Sequence, residues 1–251
     1  MIQLFGTSCC VLNEKIFISG IVKSLLPDVK SIIMKTKFIV PLLALVLFSS
    51  CIVKALHPFY TPDKIVYNKD IIGTWVDSKK GKWEIISFRD EWEKETKTQT
   101  KITKEDRQAY ERFKDAYVIN YKKSENEGDF IAVPFEIDGH LFLDFTPFYY
   151  DSGELNGLVA QHLFKTHSAA KIEFHNEGGF DIKFLSEEKV RPLFNENNIR
   201  LKHENSGVDK DLILTASSQE LYEFLKKFNS SNIENRWNED VYKLNKADAQ
   251  P

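Results

Sequence analysis

The chain has 251 residues with 34 Lys and Arg against 37 Asp and Glu, a net charge of −3, and 42% hydrophobic residues of which many are aromatic. That composition is too apolar for a disordered chain and lacks the basic excess expected of a nucleic-acid-binding protein. Residues 1–33 come first, with apolar stretches at Ile16–Val22, Leu25–Leu26 and Ile32–Ile33 that are too broken to place as elements. The two methionines are Met1 and Met34. Met34 directly opens a new pattern, so residues 1–33 read as a misassigned upstream extension.

Lys35 and Lys37 form a positive region, Phe38–Phe48 an uncharged apolar run, and Ser49-Ser50 supply small residues before Cys51. The order positive, apolar, small is that of an export signal. A membrane span would need about 20 apolar residues, more than this run provides. Ser49-Ser50-Cys51 after such a run resembles the lipobox of bacterial lipoproteins, with Phe48 where Leu is usual. The resemblance implies a signal peptide over 34–50 and a mature chain starting at Cys51, which would carry diacylglyceryl and palmitate groups. Ile52, where an Asp would mark inner-membrane retention, resembles the pattern of outer-membrane lipoproteins of enteric bacteria. The implied place is the cell envelope, at the outer membrane, facing the periplasm or the cell surface.

Removing residues 1–51 takes away five Lys and two acidic residues, leaving 29 basic and 35 acidic side chains, a charge near −6. Cys9 and Cys10 go too, so an acylated Cys51 would leave no free thiol and no intramolecular disulfide. Stability then has to come from an ordinary core, which about 200 residues can build. Residues 51–69 read as a lipidated tether. Pro58 and Pro62 disfavour helix there, and His57 is expected in solvent.

From Asp70 the pattern is β-rich. Ile71–Val76 and Lys82–Phe88 flank the turn cluster 77–81. Tyr117, Ile119 and Tyr121 alternate with other residues, as do Ile131, Val133, Phe135 and Ile137. Asp138-Gly139 is a two-residue hairpin signal, and Leu141, Leu143 and Phe145 follow it. Ala170, Ile172 and Phe174 lead into a turn over 176–179, from which Phe180, Ile182 and Phe184 return. Ile199–His203, Leu212–Thr215 and Val241–Leu244 are further short strands. Turns this short require antiparallel pairing. Three segments interrupt. Arg89–Asp115 is a charged insertion, extended at first (Thr96, Thr98, Thr100 and Ile102 alternate) and then helical, with Thr103 as N-cap and Tyr110 and Phe113 on one face. In 186–197, Val190, Leu193 and Phe194 have helical spacing, but Pro192 limits them to short turns. Ser217–Phe228 is the clearest helix, with a capping box at Ser217 and Glu220 and a stripe of Leu221, Phe224, Leu225 and Phe228. It is expected to close a barrel end or to cover its side.

Gly73-Thr74-Trp75 resembles the Gly-x-Trp of lipocalins, and the wider chain resembles uncharacterised bacterial lipoproteins with a lipocalin-like domain. The resemblance rests on 73–75, 139–147 and 212–225. It implies a mainly β fold: an antiparallel lipocalin-like barrel of about eight to ten strands over residues 70–246, with one or two short packing helices and a disordered tail at 247–251. It also implies that Trp75 is a structural plug at one barrel end. In lipocalins a late-strand Arg stacks on that Trp; here Val241–Leu244 has none and Arg236 is nearest. The domain is expected to fold without residues 1–56.

No catalytic constellation stands out, and an enzyme is not expected. His140 and Asp144 share a strand face but lie about 13 Å apart along it, too far to pair directly. His162 and His167 fall on opposite faces of a continuous strand, and His175 borders a turn. No zinc-ligand spacing, phosphate-binding loop or nucleophile elbow is present, so neither a metal nor a cofactor is expected. Tyr117, Tyr121, Phe130 and Phe142, with Phe148, Tyr149 and Tyr150, either line an apolar cavity or fill the barrel. The first case makes the protein a lipid-anchored binder of an apolar or amphipathic small molecule. The second makes it a non-enzymatic envelope interaction module with a filled barrel.

Overall fold

In the computed structural model the described residues are 52–97, 102–149, 163–196, 199–207 and 210–247, without the side chain of Tyr149. The signal sequence, Cys51, residues 1–33, His162, Tyr150 and residues 248–251 lie outside them. All described residues but Gly207 belong to one unit of the chain.

Tight turns build the main element. Asp138 and Gly139 both take positive φ (49° and 80°) and join a 12-residue strand to a 10-residue one. That is the backbone a two-residue hairpin needs to match strand twist. Ser124-Glu125 makes a second two-residue turn, with Ser124 at φ 54°. Gly178 and Gly179 (φ 91° and 87°) close the longer turn 175–179, in which the His175 carbonyl accepts the Gly178 N–H and the Gly179 carbonyl accepts the His175 N–H. At Gly179 a side chain is doubly excluded, because a Cβ would lie 2.3 Å from the Leu244 carbonyl oxygen.

Seven strands follow one another as a meander: β2 (Gly73–Asp77), β3 (Lys82–Ser87), β4 (Tyr117–Lys123), β5 (Asn126–Ile137), β6 (His140–Tyr149), β7 (Ser168–Phe174) and β8 (Phe180–Phe184). The last strand, β11 (Asp240–Lys246), pairs antiparallel with β8 on one side (Leu244 opposite Phe180) and with β2 on the other (Lys246 opposite Trp75). The result is a closed eight-stranded antiparallel barrel, lipocalin-like in its up-and-down order. Closure removes both free sheet edges. Pro134 sits inside β5 at little cost. It lies beyond Ala132, the last β5 residue paired with β4. There the Pro134 carbonyl accepts the Val66 N–H instead.

Period-two alternation divides the side chains between two cores. Trp75, Trp83, Ile85, Tyr117, Ile119, Leu143, Phe145, Ile172, Phe180, Ile182 and Leu244 point into the barrel and fill it. Ile131, Val133, Phe135, Ile137 and Phe142 point out of the same wall into a second core. A small sheet covers that outer face, with β1 (Lys54–Ala55) parallel to β10 (Asp211–Leu214), which pairs antiparallel with β9 (His203–Ser206).

Four helices complete the unit. Ser87 caps α1 (Phe88–Thr96), in which Phe88 stacks on Trp92. Through Thr96 the insertion is therefore helical where an extended start was expected, because a cap and an apolar pair four residues apart favour the helix; Thr98 and Thr100 of the expected alternation lie outside the described residues. α2 (Lys104–Phe113) has the expected Thr103 cap, closed as a box by Asp106, and packs Tyr110 on Trp92 and Phe113 on Phe88. α3 (Glu187–Asn195) is a nine-residue helix despite Pro192, longer than the short turns expected. The Ser186 cap and the fully buried Val190 hold it. α4 (Ser218–Ser230) carries the expected Ser217–Glu220 box, and its apolar stripe covers the barrel side, not an end. There Tyr222 meets Phe135, and its hydroxyl donates to the Glu136 carbonyl.

Two further expectations change. Ile199–His203 is not the strand; β9 starts only at His203. The tether reading of 51–69 and the domain start at 70 also fail for 53–60. Val53, Ala55 and Phe59 are fully buried, β1 joins the outer sheet, and the second core is incomplete without them. A stretch this short shows no period, so its burial was not visible in the pattern. His57 is exposed as expected.

Candidate functional site

Trp75 sits at the barrel end where the chain enters β2. It is 2% exposed, its indole N–H donates to the Ile71 carbonyl (2.9 Å), and its ring meets Phe180 edge-on at 4.8 Å. Gly73 takes φ +140°, a conformation side chains rarely adopt, while a Cβ there would meet only ordinary contacts. Gly73 therefore serves backbone conformation and not close approach. The cation near the Trp75 ring is Lys246 of β11, its Nζ 6.0 Å from the ring centre; Arg236 bonds the Ile233 carbonyl instead.

The four expected lining residues divide. Tyr117, Tyr121 and Phe130 belong to the barrel interior, whereas Phe142 points outward into the second core, stacked on Phe135. Phe142 is thus removed from the set, because β6 has apolar residues on both faces and both faces are covered. Tyr121 packs on Trp83 and Tyr242, and Phe130 on Phe145, so these rings fill space. Burial pushes the Tyr121 hydroxyl up to about 12. Burial raises the Tyr117 hydroxyl as well; it donates to the Asn68 carbonyl (2.7 Å) and accepts from the Asn68 N–H (2.8 Å).

That pair of hydrogen bonds ties the strand-entry segment to the barrel wall beside an open cleft. Tyr67, next to Asn68, stacks on Tyr117 at 5.6 Å. Beside it is a cleft of about 580 Å³ lined by Val66, Tyr67, Asn68 and Glu136, by Gly139 to Leu141 of the β5–β6 hairpin, and by Ile172 to Phe174 of β7. Leu141 and Ile172 belong to the barrel core and form its floor. Tyr67 and Phe174 are 48% and 47% exposed. None of the four residues expected to line a cavity lines this one. Sequence reading missed Tyr67, Glu136 and Phe174; the exposed aromatics next to turn residues were the available signal.

A second cluster lies in the outer wall. Asp144, 1% exposed, accepts from the Phe59 N–H at Oδ2 (2.7 Å) and lies 2.6 Å from His167 Nδ1 at Oδ1. Asp144 thus pairs with His167, not with His140, which stands exposed at the hairpin. Burial pushes the Asp144 carboxyl up, against the pull of the His167 and Phe59 bonds. Thr146 Oγ1 is 2.9 Å from the same Nδ1. A hydroxyl–imidazole–carboxylate relay needs the two partners on different ring nitrogens, so this grouping is not a relay. It is a clasp: His167 and Ala55 also exchange both backbone hydrogen bonds. His175 Nε2 lies 2.9 Å from Asp181, on the β8 face opposite Phe180 and Ile182. Among the described residues, no group of three or more His, Cys, Asp or Glu is placed to hold a metal ion. Among them, too, no helix is long and apolar enough to cross a membrane.

No family model, curated protein or solved structure matches the chain.

Proposed function

We propose that the chain is a lipid-anchored envelope lipoprotein that binds an apolar or amphipathic small molecule at the mouth of its barrel, without catalysis. The observation that carries the binding reading is the contrast between a filled lumen and an open cleft of about 580 Å³ at one end. That volume falls in the range of small-molecule sites. Two half-exposed aromatic rings, Tyr67 and Phe174, supply an apolar wall, and Glu136 and His140 supply polar groups. The anchoring part rests on the order of charges, apolar run and Ser49-Ser50-Cys51. Two or three acyl chains anchor stably where one does not.

The test is mass spectrometry of small molecules co-extracted with the full chain held in lipid nanodiscs. A compound recovered with the wild type and lost with Phe174→Ala supports the cleft. Cys51→Ser, followed by membrane fractionation, tests the anchor; a variant that fractionates and migrates like wild type refutes it. The alternative, an interaction module with a filled barrel, is favoured by the packed lumen. It gains if nothing small is recovered while an envelope protein co-purifies stoichiometrically.

A further inference from the structure

The lining of the mouth cleft has a definite sign. Its ten residues include two carboxylates, Glu136 and Glu173, and no Lys or Arg. Glu173 is already compensated, at 2.6 Å from Lys183 and 3.0 Å from Lys171. Lys226 of α4 pairs with Asp138 of the hairpin at 3.2 Å. Glu136 is exposed at the mouth end of β5 and makes no ion pair among the described residues. It alternates with Pro134 and Ala132 on the inward face, so its carboxylate belongs to the opening rather than to the outer core.

The aromatic walls carry the same preference. A ring face is the negative side of its quadrupole and attracts a cation held above it. Tyr67 is preset by its stack on Tyr117, which two bonds to Asn68 lock in place. Phe174 is steadied against Phe180 at 5.9 Å. Preset rings lose little conformational freedom on binding. The floor of Leu141 and Ile172 is apolar and takes a hydrocarbon tail.

From these observations we infer that the mouth cleft binds a cationic amphipath, an alkyl or aryl amine or quaternary ammonium, with its charge between Glu136 and the faces of Tyr67 and Phe174. The inference rests on the cleft being the binding site. An anionic amphipath would meet the Glu136 carboxylate with no cation in the lining to offset it.

Three probes with one tail separate the possibilities: hexyltrimethylammonium, hexanoate and hexanol, none of which forms micelles at the concentrations needed. Each is titrated by calorimetry into the full chain in zwitterionic nanodiscs at about pH 8, above the usual imidazole range, with empty nanodiscs as the blank. The ammonium is expected to bind about tenfold or more tighter than hexanoate. Glu136→Gln is expected to weaken the ammonium about three- to tenfold and to leave hexanol unchanged; Phe174→Ala is expected to weaken both. Glu136 and Phe174 are exposed, and an unchanged melting transition confirms that each variant folds. Equal binding of all three probes, with no effect of Glu136→Gln, overturns the charge assignment while leaving the cleft as a site. Binding of none of them overturns the cleft and the inference together.

Discussion

Asp144→Ala removes a side chain that joins the N-terminal segment, the barrel wall and the strand leading into β7. The carboxylate is 1% exposed and accepts from the Phe59 N–H at 2.7 Å, while His167 Nδ1 lies at 2.6 Å. Truncation leaves the buried Phe59 N–H without its acceptor and leaves His167 Nδ1 with Thr146 Oγ1 alone beside it. Removing one member of a buried pair costs about 3–5 kcal/mol, which already includes the roughly 1–3 kcal/mol of an orphaned donor. A domain has about 5–15 kcal/mol in all. With a urea m-value of about 2–3 kcal/mol/M, the midpoint should fall by about 1–2.5 M. Asp144→Asn keeps one oxygen for Phe59 and should cost less. A double-mutant cycle with His167→Ala should show a coupling of about 0.5–3 kcal/mol. The pH dependence follows from the raised carboxyl. The folded state keeps its proton where the unfolded chain has lost it, so this contribution to stability is full below the ordinary carboxylate range. It is lost as pH rises through the raised folded value. Wild type should therefore gain relative to Asp144→Asn on going down from neutral into that window. An Asp144→Ala midpoint within about 0.3 M of wild type, or strict additivity with His167→Ala, refutes the clasp.

Two other outcomes are expected. Trp75→Ala should cost about 3–5 kcal/mol, whereas Trp83→Phe keeps most of the ring but orphans Asp77 Oδ2, which the indole N–H reaches at 2.8 Å, and should cost about 1–3 kcal/mol; urea midpoints for both decide, and a Trp75→Ala midpoint equal to wild type removes its role as the plug. A chain starting at residue 58 loses β1, Val53 and Ala55 and should melt broadly or aggregate, while one starting at Ile52 should melt in a single transition by far-UV dichroism; equal melting of the two would show that residues 52–57 contribute nothing.

What the sequence revealed and what it hid divide along physical lines. The hairpin at Asp138-Gly139, the cap of α4 at Ser217 and Glu220 and the alternation in the barrel strands β4 to β8 are local, and these stand in the structure. Face assignment in β5 and β6 was not local. Both faces of that wall are apolar because both are buried, so Phe142 and Leu143 looked alike although they enter different cores. The Asp144–His167 pair depends on β6–β7 register across 23 residues, and no spacing rule reports it. Residues 53–60 gave no signal because their burial comes from partners at 167, 185 and 214, not from a period of their own.

The doubly covered wall also bears on where a ligand can go. Opening the lumen would require β5, β6 or β7 to move. Their inner side chains are interlocked with Phe145, Phe180 and Phe184, and their outer ones with α4 and the β1–β10–β9 sheet. Interiors this closely packed do not yield gradually. The opposite half of the barrel, β2 to β4, has less cover outside, but inside it holds Trp75, Trp83, Tyr117 and Tyr121, each tied by a hydrogen bond or a ring contact. A small molecule would have to displace one of these rings to enter. At the mouth no such displacement is needed. Tyr117 ties the strand-entry segment to the barrel wall, and Tyr67 and Phe174 stay half in solvent over a floor of Leu141 and Ile172. Recognition at the rim is thus the arrangement that leaves both cores intact, which is why the tests on Glu136 and Phe174 read out binding without reading out stability.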